Sequence, residues 1–185
     1  YETLTQLVLR GTVRGAKICS NLLRFGRPEE PKREAVSIEA PIEAALTMAV
    51  REVENAGVRV VRDYASGGHA VHADRNQLEQ VFLNLIINAC HAMPDGGELR
   101  VSTRHIAAEG DGVVEALLPD TGCGISPTDL GRVFEPFFTT KAASTDGQTR
   151  GSGLGLSVSH GIIKAHGGHI SVESELGVGT TLCIS

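Results

Sequence analysis

The sequence predicts an α+β domain: a two-layer α/β sandwich with helices on one face of a mixed sheet, preceded by an N-terminal helix. Three observations point there. Apolar residues recur at helical spacing in several separate segments. Short alternating runs between them read as strands, and the two kinds of element mix without strict alternation. Glycine is abundant, 22 of 185 residues, and gathers in the second half, where it punctuates loops.

In chain order, Leu4, Leu7, Val8, Ile18, Leu22 and Phe25 place an amphipathic helix over about 2–25. Gly11 and Gly15 weaken it by about 1 kcal/mol each relative to Ala. Gly26-Arg27-Pro28-Glu29-Glu30-Pro31 breaks it, so residues 1–31 form one unit and 32–185 a second. The second unit opens with a strand near 35–38. One helix is expected from Pro41 to Ala56, with Ile42, Ala45, Leu46, Ala49 and Val53 on one face, and Gly57 ends it. Val58–Tyr64 and Ala70–Ala73 read as strands, and Asp74 caps a helix that runs to about Met93. Glu98–Ile106 and Val113–Leu118 form a hairpin around a polar loop, with Pro119 removing one ladder donor at its end. A short helix follows near Pro127–Val133. Residues 141–151 carry almost no apolar side chains and are expected to form a mobile loop. A helix over Leu154–His166, stopped by Gly167-Gly168, and strands at His169–Ser174 and Thr180–Ile184 close the sheet.

Hydrophobic residues make up 41% and charged residues 21% of the chain, an ordinary globular balance. The net charge is −5 and no basic run stands out, so nucleic acid is not an expected partner. Apolar stretches are interrupted well before the ~18 residues that a span needs, so no membrane contact by this segment is expected. Cys19, Cys90, Cys123 and Cys183 are widely spaced without a CxxC pair, which fits free thiols and a cytoplasmic setting.

Three motifs carry the chemistry. Asn84 and Asn88 lie four apart on one helix face. They are either plain surface amides or, through an amide oxygen, a ligand for Mg²⁺ that leaves its shell to water and phosphate. His91, three residues on, either meets a phosphate or is structural. Asp120-Thr-Gly122-Cys-Gly124 follows a strand. It reads as an ordinary Asx turn, or as a carboxylate accepting from an exocyclic amine such as adenine's, with glycines letting backbone approach a flat base. Gly151-x-Gly153-x-Gly155 opens a helix whose N–H groups suit phosphate oxygens. Neither a Walker loop nor a convincing dinucleotide fingerprint is present. Three of the five Phe residues fall in Phe134–Lys141, either as a small core cluster or as an aromatic latch for the following loop, with Lys141 near phosphates.

Taken in order, these elements resemble the ATP-binding catalytic domain of bacterial two-component sensor histidine kinases, in the wider group of gyrase B, Hsp90 and MutL. Asn84–Met93 resembles the N box and Asp120–Ile125 the first glycine box. Phe134–Lys141 resembles the F box, and Gly151–Leu156 the second glycine box. Gly177-x-Gly179-Thr180-Thr181 resembles the closing strand motif.

The resemblance implies ATP and Mg²⁺ as cofactors, Asn88 as the metal ligand, Asp120 as the adenine reader and 141–151 as an ATP lid. Its nucleotide site takes in Asn84, Asn88, His91, Asp120, Gly122, Gly124, Ile125, Phe138, Thr140, Lys141, Gly153, Leu154, Gly155, Leu156 and Thr180. Residues 1–27 resemble the second helix of the dimerisation and phosphotransfer hairpin. That implies a homodimeric parent, the hairpin as one partner and a response-regulator receiver domain as another.

The family's acceptor His, followed by Glu or Asp, is not matched by any of the 7 histidines. No catalytic residue is therefore assigned, and the chain is expected to begin after the acceptor. The leading expectation is transfer of the ATP γ-phosphoryl group to a histidine. Hydrolysing relatives place a Glu base where this chain has Asn84, an amide that cannot take a proton. A nucleotide-binding module without transfer is the remaining alternative.

Overall fold

The structure, a computed structural model, describes residues 32–107, 112–140 and 153–185. The expected N-terminal helix, the 141–151 lid and Lys141 lie outside the described residues. So does the boundary at residue 31.

The architecture is a mixed α+β sandwich. The order is β1 (Glu34–Ser37), α1 (Glu39–Met48), α2 (Val50–Asn55), β2 (Val58–Ala65), β3 (Ala70–Ala73) and α3 (Arg75–Ala92). It continues with β4 (Gly97–Ile106), β5 (Val113–Asp120), α4 (Pro127–Leu130), α5 (Gly155–Ala165), β6 (Ile170–Glu175) and β7 (Gly179–Ile184). The main sheet has the order β2-β4-β5-β7-β6; β2 and β4 are parallel and the other neighbours antiparallel.

Leu99, Val101, Ala116, Leu118, Leu182 and Ile184 turn inward at alternate strand positions and are buried with Ile42, Val81, Phe82, Leu85, Ile86 and Ile163 from α1, α3 and α5. On the opposite face, charged residues pair across strands, Arg59 with Glu98 and Arg104 with Glu115, and along β4, Arg100 with Glu98.

Three expectations are refined. The helix predicted over Pro41–Ala56 starts at Glu39 and is interrupted at Ala49, where φ/ψ is −89°/6°. Thr47 Oγ1 donates back to the Glu43 carbonyl at 2.8 Å, a bond that bends helices. β1 pairs with β3 in a separate two-stranded sheet. Pro119 faces Arg100 at a position where the ladder needs an N–H, and the β4–β5 pairing lapses between Leu99↔Asp120 and Ser102↔Leu117 without a slip in register.

The small sheet is joined to the main one by a polar knot. Thr103, 1% exposed, donates through Oγ1 to Glu39 Oε1 at 2.8 Å, and Ser37 also bonds this carboxylate. Burial pushes the Glu39 pKa up, but hydrogen bonds from Ser37, Ser66, its own backbone and Thr103 outweigh it and leave the group below the usual glutamate range. A depressed carboxylate stabilises the fold above its unfolded pKa, and that stability is lost as pH falls below 4.5 through the folded value. Thr103→Val removes one donor and is expected to cost about 1–3 kcal/mol at pH 7. Because it also shrinks the depression, the cost should diminish in acid. Urea unfolding at pH 7 and pH 4 checks both the size and the trend.

Candidate functional site

The site is assembled where α3, the end of β5 and the start of α5 converge. α3 is anchored at its start by Asp74, whose Oδ1 accepts from Gln77 N–H at 3.1 Å. Leu78, Val81, Phe82, Leu85, Ile86 and Ala89 bury its inner face. That orientation leaves Asn84 and Asn88 half-buried and turned toward α5. A Cβ built on Gly155 would lie 3.8 Å from both Asn84 Cγ and Asn88 Nδ2. Asn84 Nδ2 also reaches the Gly155 carbonyl and Ser159 Oγ, each at 3.4 Å. The two amides and the helix start therefore share one face. α5 begins at Gly155 without a side-chain cap from Leu154, so the N–H groups of its first turn have no partner within the helix. His91 is exposed in the last turn of α3.

Asp120 ends β5 on the inward face and is half-buried. Its Oδ1 accepts from Gly122 N–H at 2.9 Å and Thr180 N–H at 3.3 Å. Burial raises its pKa, and these two backbone bonds oppose the rise. With Oδ1 so held, Oδ2 is the oxygen available to a ligand. A shallow depression of about 260 Å³ opens beside Asp120, lined also by Glu173, Ser174, Glu175, Val178, Gly179, Thr180 and Thr181.

The glycines have immediate structural causes. A Cβ on Gly122 would lie 2.7 Å from Ala92 Cβ, at the end of α3. Gly124 has φ +70°, and a Cβ there would overlap the Glu175 carbonyl. The closest atoms are thus the protein's own: the Ala92 side chain for Gly122 and the Glu175 backbone for Gly124. Ile125 N–H donates to Ser174 Oγ at 2.9 Å, which in turn donates to the Gly179 carbonyl at 2.8 Å. Ser174 was not among the expected site residues; its signal is a hydroxyl at an inward position of a strand.

The Phe cluster is corrected most. Phe134 packs on the core and against the His160 ring, with centroids 5.3 Å apart. Phe138 is half-buried beneath the Arg132 guanidinium, 4.7 Å from the ring centre. Phe137, expected to pack as an anchor, is 60% exposed. Its φ is +67°, its N–H donates to the Gly153 carbonyl at 2.9 Å, and Gly153 itself has φ +65°. The backbone of Phe137 makes the anchor, and its side chain is turned outward. Thr140 is exposed.

Residues 73–185 match the family described as "Histidine kinase-, DNA gyrase B-, and HSP90-like ATPase". The chain belongs to this family. Against the sensor kinase CckA of Brucella abortus, this ATPase-family chain is 38% identical, over 92% of its own length and 19% of the relative's. The signal transduction histidine-protein kinase AtoS of Escherichia coli is 37% identical, over 91% and 26% respectively. Full-length ShkA solved in complex with AMPPNP superposes with a TM-score of 0.73 at 26% identity, covering 89% of this chain and 34% of that one. The ATPase-family chain thus spans about a fifth to a quarter of these two curated relatives.

Proposed function

We propose that this chain is the ATP-binding kinase part of a sensor histidine kinase, presenting the γ-phosphoryl group to a histidine on a dimerisation hairpin for onward transfer to a response-regulator receiver domain. The observation that carries this reading is the meeting of Asn84 and Asn88 with the start of α5, on the same helix whose end packs against the turn of a carboxylate with one oxygen fixed. Asp120 Oδ2 reads the adenine amine. N–H groups of Gly155 and Leu156 take phosphate oxygens. Asn88 suits Mg²⁺, because one neutral amide oxygen leaves the rest of an octahedral shell to water and phosphate. Bound there, the ion would neutralise charge on the phosphates. Phosphoryl transfer needs mainly positioning and charge neutralisation, which these groups supply.

Hydrolysis is disfavoured at Asn84. An amide is no base for water, and this one is directed at Gly155 and Ser159. The parent's dimerisation, the receiver partner and a cytoplasmic location belong to the same proposal.

Asn88→Ala is expected to leave adenine recognition but remove most of the Mg²⁺ dependence of ATP binding. Calorimetry with and without Mg²⁺ reads this directly, and an unchanged metal dependence would refute the ligand assignment. Transfer is tested with γ-labelled ATP. The 185-residue chain alone should take up no acid-labile, alkali-stable label, whereas the parent kinase should. Label on the isolated chain would show that one of its own histidines is the acceptor.

A further inference from the structure

α3 and α5 run antiparallel. At one end Asn84 meets Gly155; at the other, Asp74 meets His166. The Asp74 N–H donates to His166 Nε2 at 2.9 Å, and His166 Nδ1 lies 2.9 Å from the Ile162 carbonyl. A carbonyl only accepts, so the ring proton belongs on Nδ1, and Nε2 must be bare to receive the Asp74 N–H. The ring is therefore held as the neutral Nδ1–H tautomer.

The incoming chain is tied to the same place. Lys32 N–H donates to Asp74 Oδ2 at 3.0 Å, while Asp74 Oδ1 caps α3. Arg33 Nη2 donates to the Ala165 carbonyl at 2.6 Å. Bonds from Gly167 N–H to Lys164 and from Gly168 N–H to Ile163 close the neighbouring carbonyls of α5, leaving Ala165 to Arg33 at the negative end of the helix. Three bonds thus fasten the entry segment, the start of α3 and the end of α5 at one point.

We propose that the Asp74–His166 contact is a joint through which the segment entering at Lys32 sets the position of α3 against α5, and with it the gap between Asn88 and Gly155. Asn88 lies 14 residues from Asp74, about 21 Å along a rigid helix. His166 touches no part of the site and is a positioning residue. The functional half of the inference rests on the nucleotide reading above; the tautomer does not.

The test uses the full 185-residue chain, with histidine ¹⁵N spectra and amide exchange, with and without Mg²⁺ and AMPPNP. The His166 ring should show the neutral Nδ1–H pattern. AMPPNP should slow exchange of the Lys32 and Asp74 amides, since coupling is reciprocal. His166→Ala should abolish that slowing and weaken AMPPNP by about fivefold or more. His166→Gln, whose carboxamide both accepts and donates, should restore much of each, and it carries the test if the Ala variant does not fold.

An Nε2–H tautomer would overturn the joint outright. Normal AMPPNP binding with unchanged exchange in the wild type, and unchanged affinity in both variants, would overturn the coupling alone. No AMPPNP binding by the wild type would overturn the nucleotide reading and the coupling with it.

Discussion

Asp120→Asn is expected to weaken AMPPNP binding by about 10- to 150-fold while leaving the fold at least as stable as before. The two halves of this result have one cause. The Asn side-chain oxygen can keep the Oδ1 bonds to Gly122 and Thr180 N–H. Its NH₂ then occupies the place of Oδ2 and opposes the adenine amine, donor against donor. Losing a charge-assisted bond and leaving a mismatch costs about 1.5–3 kcal/mol, which sets the fold-change. Stability goes the other way. Burial holds the Asp120 pKa above its ordinary value, so the charged form is disfavoured by the fold at neutral pH. A raised carboxylate pKa means that folding gains stability as pH falls through the folded value, the reverse of Glu39. The neutral amide removes that penalty. Calorimetry and thermal melts at pH 7 check the pair; parallel losses of binding and stability would mean that Asp120 is only a structural cap.

Gly124→Ala is expected to destabilise the protein by about 2–4 kcal/mol, the range of strained backbone combined with a steric clash. At φ +70° an L side chain is strained, and the new methyl would overlap the Glu175 carbonyl. The Gly177 N–H to Cys123 carbonyl bond of 2.8 Å must then stretch, and the loop carrying Gly122 moves off Asp120. Nucleotide binding should fall with it. Gly131→Ala is the control: its Cβ would meet nothing within 4 Å and its φ is ordinary. Urea unfolding should place that variant within about 0.5 kcal/mol of the wild type, as for surface changes elsewhere.

Much of this was legible in the sequence, for physical reasons. The Asp74 cap, the α3 periodicity and the β4–β5 hairpin are local, and local chemistry decides them. Asn84 and Asn88 share a face because helical spacing requires it. Most of what escaped depends on contacts distant in sequence, the helix break beside the local Thr47–Glu43 bond excepted. The break at Ala49 follows one side-chain bond by Thr47, and the β1–β3 sheet pairs strands with no local signal of pairing. Phe137 misled because an aromatic residue is expected to pack; here its backbone bond to Gly153 dictates a positive φ that throws the ring outward. Gly122 and Gly124 were recognised as special, but the pressing reason is the closeness of Ala92 and Glu175.

ATP is proposed to sit between Asp120, Asn88 and the start of α5. Backbone amide spectra of the chain titrated with Mg²⁺ and AMPPNP test it most directly. One saturable site is expected, with the largest shifts at Asn88, Gly122, Gly155, Leu156 and Thr180 and little change at Arg59, Arg104 or Glu115 on the opposite face of the sheet. Saturable shifts centred on that opposite face, or none at millimolar AMPPNP, would contradict it.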